Sequence, residues 1–284
     1  MNWRLKARLL ARLERLPSGH CAYSAVQDLK ASSGHDADEM PGRSLDLLAL
    51  HAGAGGRLPP GVCVEVGTGW WPWLPLLLRL SGAQQILTID LNPWLSHAPA
   101  PATTRDLIAR VDRAAPALRG EPSALRAELE PLLATRTLSE WLRASRSDYR
   151  APADARRSEL PASSVDTVLG SNVLEHDFAA SDRSITGANF LQYSRDEWRR
   201  LGGDGLAPHN RLRCVQHATL VRDAGLDVVV SRTRPDARAH RAIETGELVV
   251  HGDFAGFSAK ELTDDYMWLA ARAAKPAVAS PQAS

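Results

Sequence analysis

The sequence predicts an α/β protein built on a doubly wound, mostly parallel sheet, with a run of helices inserted after the second strand. Three observations carry this expectation. Val62-Cys63-Val64-Glu65-Val66 is a short apolar, β-branched run that enters the turn Gly67-Thr68-Gly69. A second apolar run, Ile86-Leu87-Thr88-Ile89, ends on Asp90, twenty-one positions after Gly69. A third, Val165-Asp166-Thr167-Val168-Leu169-Gly170, follows only after a long Arg-, Ala- and Leu-rich stretch. Strand, glycine turn, helix, strand and carboxylate make the first half of a nucleotide-binding α/β unit.

The elements follow in order. Residues 1–60 read as an N-terminal helical segment. In its first helix Trp3, Leu5, Leu9, Leu10, Leu13 and Leu16 lie mostly on one face, with Arg4, Lys6, Arg8, Arg12 and Arg15 around the others. The expectation is a helix packed on the domain or capping a cleft. A weak membrane-surface contact through this basic helix is the second reading. Ser44 to His51, with Leu45, Leu47, Leu48 and Leu50, predicts a helix leading to the first strand.

Residues 61–275 read as the main domain, and 276–284 as a flexible tail. Pro72 suits the first turn of the helix after the glycine turn, and Leu76, Leu77 and Leu80 would bury it on the sheet. A helical insertion is expected over 95–148. Thr103 or Thr104 would cap a helix through Val111, Ser123 one through Leu133, and Thr137 one through Arg146. Arg150 to Ala153 would form the third strand, with Asp154 just beyond it. Strands are also expected near Leu226–Ser231 and Tyr266–Arg272.

Bulk properties exclude several classes. At 284 residues and 44% apolar content the chain can bury a sizeable core, and a net charge of +1 gives no global electrostatic case for nucleic acid. Cys21, Cys63 and Cys214 are three in number and far apart. They form neither a disulfide framework nor a metal motif, so no metal is expected and a reducing, cytoplasmic setting fits. No apolar run approaches the length of about 20 residues that a membrane span needs.

Dinucleotide sites use G-x-G-x-x-G, but here Trp70-Trp71-Pro72 replaces the approach to a third glycine. Glu65 stands two before Gly67, and this E-x-G-x-G string resembles motif I of class I S-adenosylmethionine-dependent methyltransferases. Asp154 and the string Val173-Leu174-Glu175-His176 match that family in order and spacing. Further likeness to a bacterial methyltransferase-domain subfamily runs through Asp182–Thr186, Asn189-Phe190-Leu191, Trp198, His209–Arg213, Leu220–Val230 and Tyr266–Arg272.

The resemblance implies a Rossmann-like sheet, S-adenosylmethionine as cofactor and a small or medium-sized acceptor substrate. It implies cofactor contacts from Glu65, Gly67, Thr68, Gly69, Asp90, Asp154 and Ser171, with Asp90 on the ribose and Asp154 on the adenine amino group. No catalytic residue is assigned. Glu175, His176, His209 and Arg211 are acceptor-side candidates; the plainer reading, favoured for His176, is that it closes its strand by hydrogen bonding, and that His209 or Asn210 caps the helix that follows. A binding protein without turnover and an NAD(P)-dependent oxidoreductase stand as alternatives.

The chain departs from that family after His176. A helix, a Pro-Gly-Gly turn and a fifth strand are missing, because Asp177-Phe178-Ala179-Ala180-Ser181-Asp182 follows at once. The fourth strand is expected to be buried through apolar Val165, Val168 and Leu169, and in the core its ladder groups need a partner. The expectation is therefore that Val165–Gly170 pairs directly with Tyr266–Arg272 in one continuous sheet, narrowing the acceptor pocket.

Overall fold

The computed structural model describes residues 2–17, 19, 22–23, 39–56, 61–118, 120–170, 182, 184–203 and 210–273. The chain divides into two compact units, Ser18–Leu174 and Met1–Pro17 with Glu175–Ser284. Along it run α1 (Trp3–Glu14), α2 (Glu39–Gly53), β1 (Val62–Val66), α3 (Trp73–Leu80), β2 (Gln85–Ile89), α4 (Pro99–Ala109), α5 (Val111–Leu118), α6 (Pro122–Leu129), α7 (Leu138–Ala144), β3 (Ser147–Arg150) and β4 (Thr167–Gly170). After these come α8 (Cys214–Asp223), β5 (Leu226–Pro235), α9 (Ala237–Glu244), α10 (Ala259–Thr263) and β6 (Asp264–Ala273).

The unit Ser18–Leu174 is α/β. Its four strands are all parallel, in the order β3-β2-β1-β4. The central strand β1 is apolar at four of its five positions, as a strand covered on both faces must be. One face carries Cys63, Ile86 and Leu169, which pack against Leu48 of α2, the leucines of α3, and Leu107, Val111, Leu125, Leu129 and Trp141 from the helices that follow β2. The other face, Val64, Leu87 and Ile89, meets Ala153, Ala155, Leu160 and Val165 from the connection between β3 and β4. A cavity of about 270 Å³ opens there, lined by Val64, Val66, Ile89, Leu160, Val165 and Val168 among others.

Several local expectations shift. Thr103 and Thr104 do not start a helix. Both are fully buried inside α4, which begins at Pro99, and their hydroxyls donate to the Pro99 and Ala100 carbonyls at 2.8 and 2.9 Å. Thr104 also accepts from the buried Trp141 indole at 3.1 Å. Pro122, not Ser123, opens α6, and a 3₁₀ segment continues it over Glu130–Ala134. Thr137 does cap α7, accepting from the Glu140 amide at 3.2 Å. The third strand lies at Ser147–Arg150, three residues before its expected start. Its ladder is completed by Asp90 N–H to the Arg150 carbonyl at 3.0 Å, and Pro152 has no amide with which to extend it.

The fourth strand does not pair with the last one. β4 pairs with β1 alone among the described residues, and β6 pairs antiparallel with β5 in a separate two-stranded sheet. The expectation failed because its premise failed: β4 is short, and Val168 is 63% exposed rather than buried. An exposed edge can leave ladder groups to water.

In the unit Met1–Pro17 with Glu175–Ser284, α1 buries Trp3, Ala7 and Leu10, while Leu5, Leu9 and Leu16 are exposed. The buried stripe follows the i, i+4, i+7 spacing through Trp3, the small Ala7 and Leu10, and leaves Leu5 and Leu9 outside it. Trp3 stacks on Trp198 at 5.9 Å, and its backbone amide donates to Asp182 at 2.8 Å. Among the described residues no helix is long and apolar enough to cross a membrane.

Candidate functional site

The carboxyl-terminal ends of β1 and β2 bring together five of the seven residues expected to hold a cofactor. Glu65 is the last core-facing polar residue of β1, level with Thr88 of β2, and is 4% exposed. The chain then leaves the sheet through Gly67 and Gly69, both with positive φ (80° and 66°), a backbone region that costs any residue with a Cβ. Among the described residues a Cβ on Gly69 would meet nothing within 4 Å, so the chain is open on that side of Gly69. The Gly67 amide donates to the Ile89 carbonyl at 2.9 Å and locks the turn onto the end of β2.

Two carboxyls lie at this end. The Thr68 hydroxyl donates to Glu65 Oε2. The Gly69 amide donates to Asp90 Oδ2 at 3.0 Å. Burial pushes Glu65 up to about 8, against the Thr68 hydrogen bond, with the Asp90 charge adding to the rise. Burial likewise raises Asp90 to about 6, opposed by the Gly69 amide and by the Tyr149 hydroxyl. At neutral pH the site therefore holds one largely protonated and one largely ionised carboxyl.

Asp154 lies on the segment that follows β3. The Ala153 amide donates to the Asp90 carbonyl at 2.8 Å, so this segment reaches the end of β2. The Asp154 carboxylate, however, is clasped by Arg156, with Nη2 to Oδ2 at 2.6 Å, and this bond together with the Arg156 amide holds it down at about 2. Ser171, and with it Glu175, His176 and His209, lies outside the described residues. Arg211 is engaged by Asp253 at 3.4 Å and by the Tyr193 carbonyl. Asn210 does not cap α8, whose N-cap is Arg213. It accepts instead from the Leu212 amide at 2.8 Å and meets His217 Nε2 at 3.3 Å.

Sequence reasoning missed two features. Tyr149 of β3 is in register with Thr88, which directs it toward Asp90, and its hydroxyl also bonds the Asn92 carbonyl at 3.2 Å. Trp70, directly after Gly69, stacks on Trp94 with ring centroids 4.8 Å apart, and Tyr23 meets both edge-on. The Trp70 indole nitrogen is buried and has no hydrogen-bond partner among the described residues. The paired tryptophans that follow the glycine turn were the available signal. Their partner Trp94 was not legible, because nothing in the spacing links it to Trp70.

Among the described residues no group of His, Cys, Asp and Glu could hold a metal ion. A scan against protein-family models and searches of curated proteins and of solved structures each gave no match to this chain.

Proposed function

We propose that this chain is a Rossmann-like S-adenosylmethionine-dependent methyltransferase, with the helices between β2 and β3 as an insertion, acting on a small or medium-sized acceptor. The observation that carries the reading is the bond from the Gly69 amide to Asp90, which joins a glycine turn and a strand-end carboxylate at neighbouring ends of two parallel strands. A ligand can lie against Gly69 because no atom fills the space a Cβ would take. In this reading Asp90 would accept from the ribose hydroxyls, and a ligand that carries positive charge would suit the buried Glu65–Asp90 pair. When bound, the cofactor supplies an electrophilic methyl group on a sulfonium. The chain's part is to bind it, to orient it through the glycine turn and to exclude water.

Calorimetric titration of the purified chain with S-adenosylmethionine, S-adenosylhomocysteine and NADH tests this. Saturable binding of the first two alone is expected, and binding of NADH alone would favour the oxidoreductase. Binding without turnover is the second reading, favoured by the short sequence between His176 and Ile185, which leaves no room for a fifth strand. Transfer of labelled methyl groups into a metabolite extract separates it from the first.

A further inference from the structure

The helix α1 has two apolar stripes. Trp3, Ala7 and Leu10 form the buried one, fixed by the Trp198 stack and by the bond from the Trp3 amide to Asp182. The opposite side carries Leu5, Leu9 and Leu16, which are 60%, 50% and 54% exposed. Leu5 and Leu9 are one helical turn apart, half-buried Leu13 is a turn further on, and Leu16 stands just past the helix end. Arg8, Arg12 and Arg15 run alongside this row. All three are exposed, and none makes an ion pair among the described residues. From Trp3 to Leu16 the chain holds five basic residues, Arg4, Lys6, Arg8, Arg12 and Arg15, against the single acid Glu14. A surface helix ordinarily turns a polar face to water. Leucines in a row beside unpaired arginines are the composition of a helix that lies at a lipid interface.

We propose that the outer face of α1 docks this chain on an anionic lipid surface. Leu5, Leu9 and Leu16 enter the boundary between headgroups and acyl chains, and Arg8, Arg12 and Arg15 meet the negative headgroups. Charge complementarity selects this occupant. A second copy related by a two-fold axis would set the same arginines against one another. A nucleic acid would satisfy the arginines but leave the leucine row in water. The buried stripe holds the helix on its own unit, so the contact is shallow and reversible. The proposal is independent of the cofactor reading.

Cosedimentation of the full chain with vesicles tests it. Vesicles of phosphatidylcholine with about one third phosphatidylserine are compared with vesicles of phosphatidylcholine alone. Wild type should bind the first and hardly the second, and added salt should weaken the binding. Arg8→Gln with Arg12→Gln should lower partitioning about 25-fold, each arginine contributing about fivefold. Leu5→Ser with Leu9→Ser should lower it about tenfold or more. Both double variants should melt with wild type, since the positions are exposed. Absent binding to the anionic vesicles, equal binding to both kinds, or undiminished binding by either folded variant overturns the proposal. In wild type, amide hydrogen exchange across Trp3–Leu13 should slow when anionic vesicles are added, and unchanged exchange overturns the proposal even if a variant does not fold. Self-association that Leu5→Ser with Leu9→Ser abolishes, without vesicle binding, would give this face to a second copy instead.

Discussion

The backbone amide of Gly69 donates to Asp90 Oδ2 at 3.0 Å, and this one bond joins the loop after β1 to the tip of β2. It holds the carboxylate in place without using its second oxygen. Burial makes that carboxylate dependent on the Gly69 amide and the Tyr149 hydroxyl beside it.

Asp90→Ala should therefore weaken S-adenosylhomocysteine binding by roughly 1.5–3 kcal/mol, the range for losing a charge-assisted hydrogen bond. Asp90→Asn should lose less, since its amide oxygen can still accept from Gly69. Isothermal titration calorimetry decides it, and wild-type affinity in the alanine variant would remove Asp90 from the site.

Gly69→Val should abolish binding while lowering stability by only about 1–2 kcal/mol, the cost of a side chain in the left-handed region. The new Cβ meets no protein atom, so its steric effect falls on the ligand. Thermal unfolding and binding are measured on the same sample. A protein that melts far earlier and binds in proportion to its folded fraction would show the glycine to be purely structural.

The pH dependence of stability has a definite sign. Folded Asp90 and Glu65 keep their protons to higher pH, about 6 and about 8, than their ordinary values of 3.8 and 4.5 allow. Their contribution is thus fully present below about pH 4 and is lost as pH rises to 8. Denaturant midpoints at pH 5, 6.5 and 8 should fall in that order in the ligand-free protein. Glu65→Gln should flatten the upper part of the curve, and an equally steep fall in that variant would place the titrating group elsewhere.

In the other unit, Trp3→Ala should cost about 3–5 kcal/mol, since a nearly fully buried ring packed against Trp198 and Tyr193 is removed. Leu9→Ser, at a position 50% exposed, should change stability by no more than about 0.5 kcal/mol. Denaturation curves for both compare directly. A larger loss for Leu9→Ser would reverse the assignment of the buried face of α1.

What the sequence determined by itself was local. The apolar run of β1, the glycines at positive φ, the run of β2 and the carboxylate at its end each depend on residues a few positions apart, and all lie where the pattern put them. Three of the four parallel strands, β1, β2 and β4, follow from such runs. The tertiary structure decided everything that depends on register between distant segments. β3 reads Ser-Asp-Tyr-Arg and carries little hydrophobic signal because it is an edge strand, so only its ladder with β2 located it and aimed Tyr149 at Asp90. Thr103 and Thr104 look like helix starts, yet burial against Trp141 and bonds to carbonyls four residues back place them inside α4. The Trp70–Trp94 stack and the separation of β5 and β6 from the parallel sheet have the same origin. A periodic pattern states which face of an element is apolar, but the partner that covers that face is chosen by packing across the whole chain.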